Sequence, residues 1–387
     1  MKYAEVFSIV RDALVKSQLH HDMVNTCEDS PYHREQNVWV HTEMTLSWYE
    51  ENLTLLRTEQ QKFLSKMALL FHDTGKPGCR ELKNHPERGM VYRYPAHELR
   101  SARLFEDFVI SNNFFKLMTP QEFRQIKWMI EHHLPYDLKT PDQLARLHVD
   151  AVSQASYLKR AFIDMVLSDA HGRISDDHSG KLEKAWDWAK SFEVAIAPTK
   201  IRSVDPDKNL ILLVGASGSG KSTFTKQQDD LVFSLDALRI RFYVESFNGC
   251  FFTPEIDYSK AWEYCNEHDS AFQKYWKAIF TDKIKAGVPI IVDNTNTSRK
   301  ARRYYIALAK DHGYIVSSIE FPNALSTLIA RQSTRGDKNV AAGIVARQYF
   351  GLTTPMIGRE VDAAFLADSS GTLHSLGQVA DYYHFVK

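Results

Sequence analysis

The chain has no surplus of charge: Lys plus Arg and Asp plus Glu each number 48 among 387 residues. A broad basic surface for coating nucleic acid is thereby excluded, and any polyanion contact has to be local, as where an enzyme grips a strand end. Cysteine is also sparse. Cys27, Cys79, Cys250 and Cys265 form no C-x-x-C pair and no even spacing, which argues against a disulfide frame or a zinc finger and fits reduced thiols in a cytoplasm. No apolar run approaches membrane-spanning length, and Met1-Lys-Tyr-Ala-Glu-Val-Phe7 opens a charged N-terminal stretch. A soluble, cytoplasmic protein without a membrane partner is expected. There is no internal repeat and no low-complexity segment. The length suits two domains of about 200 residues each, both able to bury a core.

Residues 1–197 read as all-α, with apolar positions at three- and four-residue spacing, as in Phe63, Leu64, Met67, Ala68, Leu70 and Phe71, or Ile126, Met129 and Ile130. No strand-like alternation stands out. Turn chemistry at Ser30-Pro31, Gly75-Lys-Pro-Gly78, Thr119-Pro120 and Thr140-Pro141 separates the helices. Lys181 to Val194 reads as a last amphipathic helix carrying Trp186, Trp188 and Phe192. Residues 198–208, polar and twice interrupted by proline, read as a linker. From 209 to 387 short buried strands alternate with helices, the strand candidates being Leu210–Val214, Val232–Leu235, Pro289–Asp293 and Tyr314–Phe321. That alternation predicts an α/β domain with a parallel sheet and helices on both faces. The stretch from Gly351 to Lys387 matches no motif and is either core of this domain or a partner surface.

The first of these strand candidates runs into Gly215-Ala216-Ser217-Gly218-Ser219-Gly220-Lys221-Ser222-Thr223, a complete G-x-x-x-x-G-K-[ST] loop. The glycines let successive backbone N–H groups aim at phosphate oxygens, and the helix expected next adds its positive end. Lys221 would bridge the β- and γ-phosphates of ATP or another nucleoside triphosphate, and Ser222 would hold Mg²⁺. Further on, Asp236 follows a strand with Arg239 one helical turn later, so both can face the cleft at the strand carboxyl ends. A carboxylate there can accept a proton from an attacking hydroxyl, and a guanidinium can fork onto a neighbouring phosphate. Arg331 and Arg335 are expected one turn apart on one helix face, closing over the nucleotide.

Together with Ile290-Ile-Val-Asp-Asn-Thr-Asn296, these segments resemble the phage-type polynucleotide 5′-kinases over most of residues 209–355. The resemblance implies Asp236 as general base for a 5′-hydroxyl, Arg239 as clamp on the acceptor's adjacent phosphate, and Arg335 with Arg331 on the donor phosphates. Asp293 either helps to hold a Mg²⁺ water or caps the next helix.

In the first half, His41, the pair His72-Asp73, His97, His132 and Asp169 fall in helical segments tens of residues apart. This arrangement lets a bundle gather imidazoles and carboxylates around metal, with His97 and His132 serving a second ion; His133 competes with His132 for that role. The order and contexts resemble the HD phosphohydrolase superfamily over roughly residues 35–175. Mixed N/O ligation favours Mn²⁺, Ni²⁺, Co²⁺ or Fe²⁺ over Mg²⁺. Lys76, and with it Arg173, is placed to touch a substrate phosphate.

An HD domain joined to a polynucleotide kinase resembles the bifunctional end-healing enzymes. That implies RNA or DNA ends as substrate, removal of 2′- or 3′-phosphate (or opening of a 2′,3′-cyclic phosphate), 5′-phosphorylation, and a nucleic-acid ligase acting downstream. The competing readings are an HD nucleotidase fused to a small-metabolite kinase, and a nucleotide sensor.

Overall fold

The Thr-Pro pairs, read from the sequence as turns between helices, fall at helix starts. In the computed structural model Pro120 and Pro141 stand in the first turns of Pro120–Glu131 and Pro141–Gln154, where a missing N–H costs nothing. Thr119 and Thr140 cap them in boxes closed by Glu122 and Gln143. The structure describes residues 2–30, 33–85, 89–138, 140–174, 178–196, 202–226, 229–247, 257–379 and 383–385. The chain divides into two units, Met1–Thr199 and Lys200–Lys387.

The first unit is a helical bundle. Helix Glu59–Phe71, capped by Thr58, buries Phe63, Leu64, Met67, Ala68, Leu69, Leu70 and Phe71. Each large apolar side chain withdrawn from water contributes roughly 1.5–3 kcal/mol, so this helix is driven through the middle of the bundle. It packs against Val38–Asn52, Pro120–Glu131 and Leu158–His171. Its C-terminal end therefore lands deep in the unit, which is what places His72 and Asp73. Helix His178–Glu193 buries Trp188 and Phe192 against Phe162 and leaves Trp186 outside. Two strand pairs interrupt the expected all-α pattern: Cys27–Ser30 with His33–Asn37, and Glu81–His85 with Gly89–Arg93. Three of these strands are polar and the fourth, Gly89–Arg93, is a short run of Met, Val and Tyr, so none carries the apolar alternation from which a strand could be read. Pro31, half of the Ser30-Pro31 turn, lies outside the described residues.

In the second unit a six-stranded sheet runs Leu373–Gln378, Ala363–Ala367, Ile315–Glu320, Asn209–Val214, Ile290–Val292, Val232–Phe233. Only the first two strands pair antiparallel. All four expected strands are present in parallel register. The C-terminal stretch supplies two more, with Ala363, Ala364, Leu366 and Ala367 buried, so this part is core of the unit. Arg202–Val204, within the segment read as linker, is instead a strand parallel to Tyr383–Phe385; residues 198–201 lie outside the described residues. Leu213, Ile291, Ile319 and Ala367 form one core cluster in this unit. Cys27, Cys79 and Cys265 are free thiols, while Cys250 lies outside the described residues. Among the described residues no helix is long and apolar enough to cross a membrane.

Candidate functional site

Strand Asn209–Val214 delivers the chain into the glycine-rich loop. Gly218 and Gly220 have φ of 88° and 101°, which only glycine adopts freely. A Cβ on Gly218 would lie 2.6 Å from Gln332 Nε2. Lys221 is buried and donates to the carbonyls of Gly215 (2.7 Å) and Ala216 (3.0 Å) and to Ser219 Oγ (3.1 Å). Burial pushes this amine down to about 8; Asp293 and Asp236 pull it back up and Arg335 depresses it further. Asp293, Arg335 and Asp236 thus lie within electrostatic reach of Lys221. The helix after the loop is a single turn, Lys221–Phe224, so it offers the loop little macrodipole. Ser222 and Thr223 lie exposed on that turn. The Ser222 hydroxyl has no hydrogen-bond partner among the described residues. Two glutamines that no motif marks hold the loop: Ser217 N–H donates to Gln348 Oε1 (2.9 Å), and Gln332 Nε2 donates to the Ser217 carbonyl (3.0 Å).

Ser234 caps helix Leu235–Ser246, leaving the Asp236 carboxylate to Arg239 Nη1 at 2.7 Å and the Tyr258 hydroxyl at 2.6 Å. Ser298 likewise caps helix Arg299–Asp311, so Asp293 does not act as that helix's cap. The loop after Asp293 ties the neighbouring segments together. Asn294 Oδ1 accepts from Leu235 N–H (3.0 Å), the Thr295 carbonyl from Gly215 N–H (3.1 Å), and Asn296 Nδ2 donates to the Leu213 carbonyl (2.9 Å). Arg331 and Arg335 do not share a helix face. Helix Leu325–Gln332 stops between them and Gly336, at φ 60°, turns the chain. Arg331 Nη1 donates to the Gly218 carbonyl (2.9 Å), and Arg335 Nη1 reaches Gln332 Oε1 (3.4 Å).

In the first unit the structure gathers His41, His72, Asp73, His97 and Asp169, but it brings His133 rather than His132 to them. His132 turns back onto its own helix, its ring 4.9 Å from Trp128 and its Nδ1 bonded to the Trp128 carbonyl at 2.8 Å. Asp73 stands between two histidine pairs. Oδ2 lies 3.2 Å from His72 Nε2 and 3.5 Å from His41 Nε2, while Oδ1 lies 3.1 Å from His97 Nε2 and 3.7 Å from His133 Nε2. Asp169 Oδ1 joins the first pair at 3.0 Å from His41 Nε2. Each histidine presents Nδ1 to a carbonyl: Gly172 for His41 (2.9 Å), Leu69 for His72 (2.7 Å), Tyr94 for His97 (2.7 Å) and Ile130 for His133 (2.8 Å). With Nδ1–H donating, each Nε2 offers a lone pair to the centre, the arrangement that orients metal-ligating imidazoles.

Asp73 Oδ1 is then a buried oxygen without a hydrogen-bond donor among the described residues, and the Nε2 atoms of His97 and His133 face each other at 3.2 Å. Two groups of three possible ligands result, His41-His72-Asp73 and Asp73-His97-His133, each with its ligand atoms within 4.8 Å of one another. A divalent transition ion in each fits this donor set. Burial pushes His133 down to about 3, the neutral form a ligand needs. Burial would also lower His72, but the Asp73 and Asp169 carboxylates outweigh it and hold the ring at about 10, a charge that a bound cation would replace.

Lys76 departs from its expected role. It is buried between Asp73 Oδ2 (2.7 Å) and Glu28 Oε1 (2.6 Å) rather than turned outward. Arg173 is similarly bound to Asp169 Oδ1 at 3.0 Å. Glu28 and Glu35, whose Oε1 lies 3.0 Å from His41 Nδ1, come from the first strand pair. Nothing in that polar stretch singles them out in the sequence.

Strand, loop and sheet order give the second unit the architecture of a P-loop domain. The profile of a family described as an AAA domain matches residues 210–350, which include Lys221, Asp236 and Arg335. A protein of Autographa californica nuclear polyhedrosis virus, provisionally named a bifunctional polynucleotide kinase/RNA ligase, is 25% identical over 201 residues, 49% of this chain. The match spans only 28% of that relative's length. A gluconokinase from Sinorhizobium meliloti aligns at 17% identity and a TM-score of 0.27 over 41% of this chain and 83% of its own. A structure from the PezAT toxin-antitoxin system of Streptococcus pneumoniae aligns at 16% identity and 0.30 over 48% of this chain and 81% of its own.

Proposed function

We propose that this protein heals nucleic-acid ends, those of RNA foremost: it phosphorylates 5′-hydroxyls with a nucleoside triphosphate and removes 2′- or 3′-phosphates, cyclic ones included. The observation that carries this reading is Asp73, with one oxygen toward each histidine pair, on the same chain as a phosphate loop facing a carboxylate base. One site is equipped to take a phosphate off and the other to put one on. The viral relative's name, which joins a polynucleotide kinase to an RNA ligase, supports a nucleic-acid acceptor. So does Arg239, a guanidinium beside the base that suits a strand with a second phosphate next to the reacting hydroxyl.

In the kinase site Asp236 takes the proton of the 5′-hydroxyl as its oxygen bonds to the γ-phosphorus and the β–γ bridge breaks. Lys221 and Arg335 balance the charge that develops, and Ser222 would hold the Mg²⁺ that neutralises the phosphates. In the HD-like site His41, His72, Asp73 and Asp169 would hold one ion and Asp73, His97 and His133 the other; when bound, such ions polarise a phosphate and acidify water. Glu28 and Lys76 fix Asp73 from behind, and Arg173 fixes Asp169.

The test is a crossover. Lys221→Ala should abolish 5′-phosphorylation of an RNA oligonucleotide and spare phosphate release from its 3′ end. Asp73→Ala should do the reverse. Loss of both activities in either variant, or survival of the supposedly lost one, contradicts the assignment.

A further inference from the structure

Helix Tyr258–Glu267 contains none of the residues that the sequence motifs mark, yet its first residue reaches the proposed base. The Tyr258 hydroxyl donates to Asp236 Oδ1 at 2.6 Å, and Arg239 Nη1 donates to the same oxygen at 2.7 Å. Among the described residues nothing donates to Oδ2. The Asp236 side chain is 44% exposed, so the second oxygen has a route to solvent and to an incoming acceptor.

A carboxylate at the start of a helix can ordinarily rotate about its terminal torsion, which is broad and roughly two-fold. Two donors on one oxygen remove that freedom. Arg239 alone would not suffice, because an i, i+3 partner on the same helix moves with it, whereas Tyr258 comes from a separate helix. The tyrosine is itself held. Its hydroxyl is kept protonated by burial and by the Asp236 charge, which together push it far above its ordinary value. Its ring lies 5.3 Å beneath Lys338 Nζ, in the turn that begins at Arg335.

We propose that Tyr258 is a positioning residue that locks Asp236 with Oδ2 as the proton acceptor for the attacking hydroxyl. The inference rests on the kinase reading above. Tyr258 touches neither substrate nor the reacting atoms; it acts through Asp236. The proton still passes from the acceptor hydroxyl to Oδ2 while the new O–P bond forms, so no further reactant is needed.

Tyr258→Phe in the full chain tests this, since it deletes the hydroxyl and keeps the ring under Lys338. With ATP, Mg²⁺ and a 5′-hydroxyl oligonucleotide, kcat should fall roughly 10- to 100-fold, the range for a lost hydrogen bond to a charged group. KM for ATP and the melting temperature should stay as in wild type. A kcat equal to wild type overturns the proposal, as does a loss shared by KM for ATP and thermal stability, which would mark a merely structural tyrosine. If wild type ignores oligonucleotides but phosphorylates a small hydroxyl compound, the nucleic-acid reading falls, and the same comparison on that acceptor still decides the role of Tyr258. Transfer to no acceptor at all overturns both.

Discussion

Gly75 offers a sharp test of how the first unit builds its histidine cluster. Its φ of −80° would suit any residue, so backbone strain is not the reason for glycine. Space is. A Cβ there would lie 2.5 Å from the His97 carbonyl oxygen, 2.7 Å from Ser101 N and 2.9 Å from Ser101 Oγ. The two nearest atoms are backbone at the start of helix His97–Ser111, which cannot yield without moving His97 itself. Overpacking typically costs about 1–3 kcal/mol, and a clash with backbone belongs at the upper end. For a unit of this size about 3 kcal/mol lowers the melting temperature by roughly 6–12 °C. A displacement of His97 by a large fraction of an ångström should also slow phosphate release by up to about 100-fold. Gly75→Ala measured by calorimetry and by phosphate release should show both effects with 5′-phosphorylation intact. Gly78→Ala is the control: the three atoms nearest its Cβ all belong to the flexible end of the Arg100 side chain, so the cost should be small. A Gly75→Ala protein that melts and hydrolyses like wild type would refute the packing argument.

Three further outcomes are expected. His133→Ala should lower the transition-metal content measured by elemental analysis and remove phosphate release, whereas His132→Ala should keep both, because His132 only packs on Trp128. Treating the protein with a chelator and restoring Mg²⁺ alone should leave 5′-phosphorylation running and phosphate release silent, as read from the two ends of one oligonucleotide. Arg302, fully buried, pairs with Glu360 and donates to the carbonyls of Asn296 (2.9 Å) and Thr353 (3.0 Å). Removing one partner of such a pair typically costs about 3–5 kcal/mol, so Arg302→Leu should melt the second unit early in calorimetry and abolish phosphorylation while the first unit's transition stays put.

The parts legible in the sequence are those whose chemistry is local. The phosphate loop needs its glycines and lysine in one short run. The Thr-Pro pairs cap helices by contacts within four residues. The four parallel strands announce themselves as buried β-branched and leucine-rich runs. Of the contacts made across the fold, the gathering of His41, His72, Asp73, His97 and Asp169 was legible through the resemblance that their order carries, and the others were not. Neighbouring His132 and His133 differ only in where the end of helix Pro120–Glu131 turns each ring, and a one-residue step round the helix sends one to Trp128 and the other to the cluster. Glu28 and Glu35 sit in a polar hairpin without periodicity. Arg331 and Arg335 are correctly spaced for one helix face, but the helix ends at Gln332. Ala363–Ala367 has almost no β propensity of its own and becomes a strand because Ile315–Glu320 offers it an edge.

The most direct measurement follows both ends of one short RNA carrying a 5′-hydroxyl and a 3′-phosphate, incubated with the protein, ATP, Mg²⁺ and Mn²⁺. The account predicts a product with a 5′-phosphate and a free 3′-hydroxyl. An RNA unchanged at both ends while free nucleotides in the same tube are consumed would contradict it.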